Sequence, residues 1–234
     1  MNTTMRNRQI VRILSLGLMM MLIALPVMAQ QVKGVAIATK VEGDVDYLRD
    51  GKSSRVIVPT IFNADDQIIT GENGFCALVF TDDKSQLKIR PNTDITLSAD
   101  RNADFSLAKR VSMEAGQLFT EVKQMKGSLQ IATPTAVASV KGTEFWVIFE
   151  DGITRNITLE GIVDLRSLLT NLSEDVPAGN EGEVDRDGQI EVHAFDPGEV
   201  PDFLDEMDVE NIEIQFIDEN GNEKSLIIQI KVDK

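Results

Sequence analysis

The chain has 234 residues, 23 of them basic and 38 acidic, for a formal net charge of −15, and 42% are hydrophobic. That hydrophobic share suffices for a core and argues against wholesale disorder. The acid excess argues against partners that carry phosphate, nucleic acid and anionic lipid headgroups alike, because these need clustered Lys and Arg. A single Cys and a single His leave little for zinc or nucleophilic chemistry.

The N-terminus places Arg6, Arg8 and Arg12 before an apolar run from Ile13 to Leu25, then Pro26 and Val27-Met28-Ala29. This is the three-part pattern of a secretory signal peptide, with cleavage expected after Ala29 and a periplasmic or secreted destination. The rival reading is an uncleaved anchor, since Ile13 to Ala29 is at the short limit for crossing a bilayer. Pro26, just ahead of the processing-like tripeptide, favours cleavage and so no stable membrane anchor. No Cys follows the run, so no lipid can be attached at a new N-terminal Cys. Cleavage removes three basic residues and no acid, taking the net charge to −18. Cys76 is then alone in an exported chain, which leaves it no intramolecular disulfide partner. It sits in the apolar run Phe75 to Phe80 and reads as a buried, inert thiol.

From residue 35 to about 192 the text is β. Val41 to Leu48 alternates and leads into the turn Arg49-Asp50-Gly51-Lys52. Asp66 to Thr70 is a short strand closed by Gly71-Glu72-Asn73-Gly74. Phe75 to Thr81, the turn Asp82-Asp83-Lys84, and the alternating Gln86 to Arg90 follow, then a turn at Pro91 to Asp94 and a strand resuming at Ile95. Val111 to Lys126 is the one ambiguous window, and Gly116 with the β-branched residues tips it to strand. In Glu144 to Phe149, Phe145, Val147 and Phe149 face one side while Trp146 and Ile148 face the other, so this strand is expected to be covered on both faces. Asp151-Gly152 supplies a hairpin turn, and Thr154 to Leu159 pairs back. Spacings of about 8 to 12 residues suggest a sandwich, barrel or solenoid, and without a fixed period only an irregular solenoid is permitted. With one Trp and one Tyr, the aromatic platforms of a carbohydrate-binding module are missing.

Several segments, in one order, resemble the FecR domain, the extracytoplasmic module of ferric-citrate-type signalling regulators. They are Val41 to Val45, Asp66 to Gly71, Gly74 to Phe80, Leu87 to Asn92, Gly116 to Phe119, the signature run Thr133 to Phe145, Glu160 to Val163, and Val176 to Gly182. The resemblance implies an all-β fold, an irregular solenoid or sandwich-like module. Within the signature, Gly142 would turn a loop at positive φ, Thr143 would bond the turn backbone through its hydroxyl, and Phe145 would anchor the core. Glu144 has no second acid placed by the motif to work with it in catalysis. Gly161 belongs to the next matching segment, so Gly142, Thr143, Glu144, Phe145 and Gly161 read as structural. The family's regulators carry a cytoplasmic sigma-factor-binding domain ahead of a membrane helix, and here only 12 residues precede the apolar run. Direct sigma-factor binding is therefore not expected.

Past His193 the chain carries twelve acids and three Lys. Pro197, Gly198 and Pro201 read as a linker. Ile212 to Ile217 and Leu226 to Val232 read as a β-hairpin around Asp218 to Glu223. Three parts result: residues 1–29 a signal peptide, 35–192 the β module, and 193–234 an acidic extension. Asp218, Asn220 and Asn222 have calcium-loop spacing, but Glu223 replaces the required Gly and Gln229 the closing Glu, so a plain turn is favoured. Asp185-Arg186-Asp187-Gly188 reads the same way. His193 reads as a solvated strand-edge residue, and a Cys76–His193 pair fails because Cys76 is buried.

No catalytic residue, metal ligand or cofactor site is assigned. The leading expectation is an exported, non-catalytic binding or scaffold module whose partner is an envelope protein or polymer. Alternatives are a carboxylate-dependent glycan hydrolase and a calcium-stabilised envelope protein.

Overall fold

A computed structural model describes residues 34–140 and 142–201, together with the strands Ile212–Ile217 and Glu223–Ile228. All regular structure among these residues is β. Seventeen strands form two layers. The front layer runs in the order β4 (Ile61–Phe62), β1 (Ala36–Glu42), β6 (Phe75–Phe80), β7 (Gln86–Ile89), β9 (Leu107–Glu121), β12 (Glu144–Glu150), β13 (Ile153–Glu160), β16 (Asn180–Val184) and β17 (Ile190–Ala194). The back layer runs β3 (Lys52–Arg55), β2 (Val45–Arg49), β5 (Gln67–Thr70), β8 (Asp94–Arg101), β9 again, β10 (Ser128–Ala132), β11 (Ala136–Val140), β14 (Ile162–Ser167) and β15 (Ser173–Pro177). Neighbours are antiparallel, except β9 and β10. The whole is an open sandwich, not a closed barrel.

The two layers are one hydrogen-bonded sheet because β9 belongs to both. Its first nine residues pair with β8 and β10, and from Gly116 onward it pairs with β7 and β12. Gly116 is the pivot, at φ +101, and a Cβ there would lie 2.6 Å from Thr93 Cα and 2.7 Å from the Asn92 carbonyl oxygen. Only glycine fits such a corner. The window Val111 to Lys126 is thus strand as far as Glu121.

Gly43 cuts the expected run Val41 to Leu48 in two. With φ +58 it turns the chain out of β1, in the front layer, into β2, in the back. Alternation there is real on both sides of the glycine, but it belongs to two strands in different layers.

Alternating residues from both layers meet in one core. Val45, Ile68, Ile95, Val111, Ile131 and Leu165 point in from the back, and Ala36, Leu78, Leu87, Leu118, Phe145 and Val147 from the front. Each such aliphatic side chain contributes about 1.5–3 kcal/mol by leaving water. Cys76 lies in this core, fully buried, and burial pushes its thiol up to about 12. It is therefore an un-ionised, unreactive thiol, as its apolar run implies.

β12 is covered on both faces, as its sequence requires. Phe145 and Val147 enter the core, while Trp146 and Ile148 join Phe119 and Ile157 in a second cluster on the outer side of the front layer. The Trp146 and Phe119 rings are 5.3 Å apart. Phe195 and Val200 pack onto this outer cluster, and Arg155 bonds both Glu181 and Glu199. The stretch containing Pro197, Gly198 and Pro201 is thus laid against the sheet and does not act as a free linker; the apolar pair Phe195 and Val200 drives this.

The expected C-terminal hairpin is present as β18 (Ile212–Ile217) and β19 (Glu223–Ile228), with Ile212 opposite Ile228 and Ile217 opposite Glu223. The returning strand starts at Glu223, three residues before the alternation at Leu226. Residues 1–33, 141, 202–211, 218–222 and 229–234 lie outside the described residues, and with them the cleavage site after Ala29 and the loop of Asp218, Asn220 and Asn222.

Candidate functional site

The signature residues lie at a margin of the sandwich where the chain repeatedly changes layers. Four crossings line up there: 122–127 between β9 and β10, the one carrying Gly142 and Thr143 between β11 and β12, Gly161 between β13 and β14, and 178–179 between β15 and β16. They are tied to one another through the backbone. Val122 N–H donates to the Thr143 carbonyl at 2.9 Å, and Ala178 N–H donates to the Gly161 carbonyl at 2.9 Å.

Gly142 and Gly161 both have positive φ, +77 and +82. They are also neighbours in space: a Cβ on Gly161 would lie 2.7 Å from the Gly142 carbonyl oxygen. Two crossings this close leave no room for a side chain at 161, which is why glycine is needed there. Phe145, the first inward residue of β12, is fully buried and anchors the corner in the core. Thr143 departs from expectation. Its carbonyl closes the corner, while its buried hydroxyl has no hydrogen-bond partner among the described residues.

Glu144 begins β12 on its outer face. The sheet places an acid on either side of it: Glu121 of β9 and Glu160 of β13 are its direct cross-strand partners. Such partners share a face, with Cβ atoms about 4.5–5.5 Å apart. Partial burial and then the charges of Glu121 and Glu160 raise the Glu144 carboxyl above its ordinary range, against the opposing pull of Lys123 and Lys88. Lys123 pairs with Glu121 at 2.6 Å. This row of three acids was not legible in the sequence, because the residues come from three segments joined only by strand register.

The row lies on a sheet face. A depression of about 290 Å³ opens at the other end of β12, where Pro91, Asn92, Gly116, Gln117, Phe149 and Glu150 line it. Glu144 and Glu150 are six residues apart along the strand, about 20 Å. The acid row and the depression do not form one cleft.

The remaining candidates are separated. His193 is exposed on β17, the outermost strand of the front layer, with Nδ1 3.2 Å from the Ala194 carbonyl oxygen. Cys76 on β6 is six strand positions away, roughly 29 Å at the usual strand spacing. At Asp185 the carboxylate accepts the backbone N–H groups of Asp187 (2.9 Å) and Gln189 (2.8 Å). Its oxygen is used to close a turn.

Comparison with known proteins gives a family match over part of the chain. Residues 66–164 match the family model described as FecR protein. That span takes in the pivot at Gly116, the signature loop and Gly161, and leaves Val41 to Val45 and Val176 to Gly182 outside it. Two crystal structures of a Parabacteroides distasonis protein, provisionally described as an anti-sigma factor, are similar to the chain. They are 18% and 19% identical, with TM-scores of 0.49 and 0.48, each over 57% of this chain and 62% of the other. The chain thus spans less than two thirds of their length. No curated protein matches it.

Proposed function

Because residues 66–164 match the family model described as FecR protein, we propose that the chain works as an exported, non-catalytic binding module of the cell envelope. The observation that carries this reading is how the signature residues are used. Gly142 and Gly161 let two layer crossings touch, and Phe145 locks the corner into the core. These are structural tasks, and they leave recognition to the surface. On the sheet face beside the signature Glu121, Glu144 and Glu160 stand in a row, with Lys123 and Lys88 near them, and in sequence twelve acids against three Lys follow His193. A basic protein or a cationic envelope polymer complements such a face, steering encounter as well as adding contacts. Sensing or tethering in the envelope fits the family resemblance, and the Arg-rich, apolar N-terminal pattern supports export.

Crosslinking and pulldown of the protein from envelope extracts tests the binding role. Specific partners should be recovered, and recovery should drop when Glu121, Glu144 and Glu160 are changed together to Gln. Recovery of nothing above control would overturn the proposal. Mass spectrometry of the exported protein tests the leader. A mass beginning at Gln30 is expected, and an intact N-terminus would overturn export by cleavage.

A further inference from the structure

We propose that copies of this chain join end to end through the back layer, β3 of one copy pairing with β15 of the next. This goes beyond the envelope-partner reading and does not depend on it.

The back layer ends in β3 on one side and β15 on the other, and among the described residues each is paired on one flank only, β3 with β2 and β15 with β14. A strand with a free flank presents unpaired N–H and C=O groups, ready to accept another strand. All four residues of β3 are exposed, as are Ser173, Glu174 and Asp175 of β15.

The two edges carry opposite charge. β3 is Lys52-Ser53-Ser54-Arg55, where Arg55 also bonds Asp44 of its own chain at 2.7 Å and Lys52 carries the edge charge, and β15 opens Ser173-Glu174-Asp175. Two β3 edges repel each other, and so do two β15 edges. Only the unlike pairing is attractive, so the charges that block random edge association select this one.

Strand direction permits it. Counting the antiparallel and parallel neighbours across the back layer, β3 and β15 run in opposite directions. A second copy shifted along the layer without being turned over therefore brings β15 antiparallel to β3, with the core sides of both copies on the same face.

The side-chain faces agree as well. Ser54 lies opposite Tyr47, which packs on the core, so Lys52 shares the core side. Val176 is buried in the core, so Glu174 shares that side too. Arg55 and Asp175 fall on the outer face of their strands. Setting Lys52 opposite Glu174 pairs those two charges, with Arg55 then opposite Asn171 and Asp175 opposite Gly51, and the turns that follow Arg55 and precede Ser173 lie toward the same end of the seam, carrying Ile57, Val58, Leu168 and Leu169. These four are exposed apolar residues, Ile57 at 66% and Leu169 at 67%. One charge pair, Lys52 with Glu174, and apolar surface at one end of the seam thus fall together in this register. Because the contact joins unlike surfaces, it leaves a free edge at each end and makes an open chain.

Sedimentation velocity of the purified protein tests this. A concentration-dependent series of oligomers beyond the dimer is expected. Lys52→Glu with Arg55→Glu should abolish it, as should Glu174→Lys with Asp175→Lys. An equimolar mixture of the two variants should restore it, since each then meets its complement at both ends. Leu169→Asp, which leaves those four charges alone, should also abolish the series, and unchanged melting temperatures would show that all variants fold. A wild-type protein that stays monomeric at every concentration overturns the proposal, as it would if another segment of the same chain covers an edge. So does assembly that survives either charge reversal, or a mixture that stays monomeric.

Discussion

The Lys109 ammonium lies 2.6 Å from an Asp83 carboxylate oxygen and 2.9 Å from one of Asp82, and all three side chains are sealed from water. Lys109 is an inward residue of β9, where its neighbours Leu107 and Val111 are core. Its third acceptor is the Lys126 carbonyl, at 3.1 Å. Asp82 also accepts Leu107 N–H, and Asp83 accepts Ser85 and Lys126 N–H. This buried knot fastens the β6–β7 turn to the start of β9 and to the β9–β10 crossing.

Removing only the cation strands two carboxylates in a dry site. Lys109→Met should therefore destabilise the fold by about 3–5 kcal/mol, the usual cost of breaking a buried pair on one side. Urea unfolding followed by circular dichroism measures it. A loss under about 1 kcal/mol would show that water reaches the site.

The same knot sets a pH dependence. Burial pulls the Asp83 carboxyl up, but hydrogen bonds from Lys109, Ser85 and Lys126 outweigh it, and the net position is below the ordinary 3.8. A carboxyl held lower in the folded state contributes stability above its unfolded value and loses it as pH falls through the folded value. The wild-type unfolding midpoint should thus drop as pH is lowered below 3.8. In Asp83→Asn that part of the acid loss should be absent, which midpoints measured on both proteins across the acid range would reveal.

Gly116→Ala should cost at least about 1–3 kcal/mol from its positive φ alone. The clash with Thr93 Cα and the Asn92 carbonyl adds to that. The β9 pivot would have to open, and its amides should lose protection in hydrogen exchange. Gly51→Ala is a matched control: its φ is +74 but nothing lies within 4 Å of a Cβ there, so only the backbone cost remains.

Trp146, the one Trp in the chain, reports on the cover over the front layer. It is fully buried in the outer cluster onto which Phe195 and Val200 pack. Truncation after Ala194 should uncover it, shifting its emission to longer wavelength and raising acrylamide quenching. An unshifted spectrum would mean that the indole is sealed by the sheet itself.

Much of this was written locally. The two apolar faces of Phe145 to Phe149, the Asp151-Gly152 turn and the burial of Cys76 all follow from alternation and turn chemistry over a few residues. Where the sequence misled, a long-range contact decided. Val41 to Leu48 reads as one alternating run, yet Gly43 sends its halves to different layers. Lys109 looks like any strand lysine until Asp82 and Asp83 are found beside it. The Thr143 hydroxyl had a turn to bond, but the backbone closed that corner first.

The sequence by itself determined that this is an acidic, all-β chain whose signature corners resemble those of the FecR domain, and which residues of each strand seek the interior. Those properties depend on side-chain period and backbone freedom, which are local. Only the tertiary structure decided which strands are neighbours. It made β9 the shared strand of both layers, set Glu121, Glu144 and Glu160 in one row, and, among the described residues, gave β3 and β15 a strand partner on one flank only. Pairing between segments far apart in sequence is fixed by register and packing, and no short window of residues carries that information.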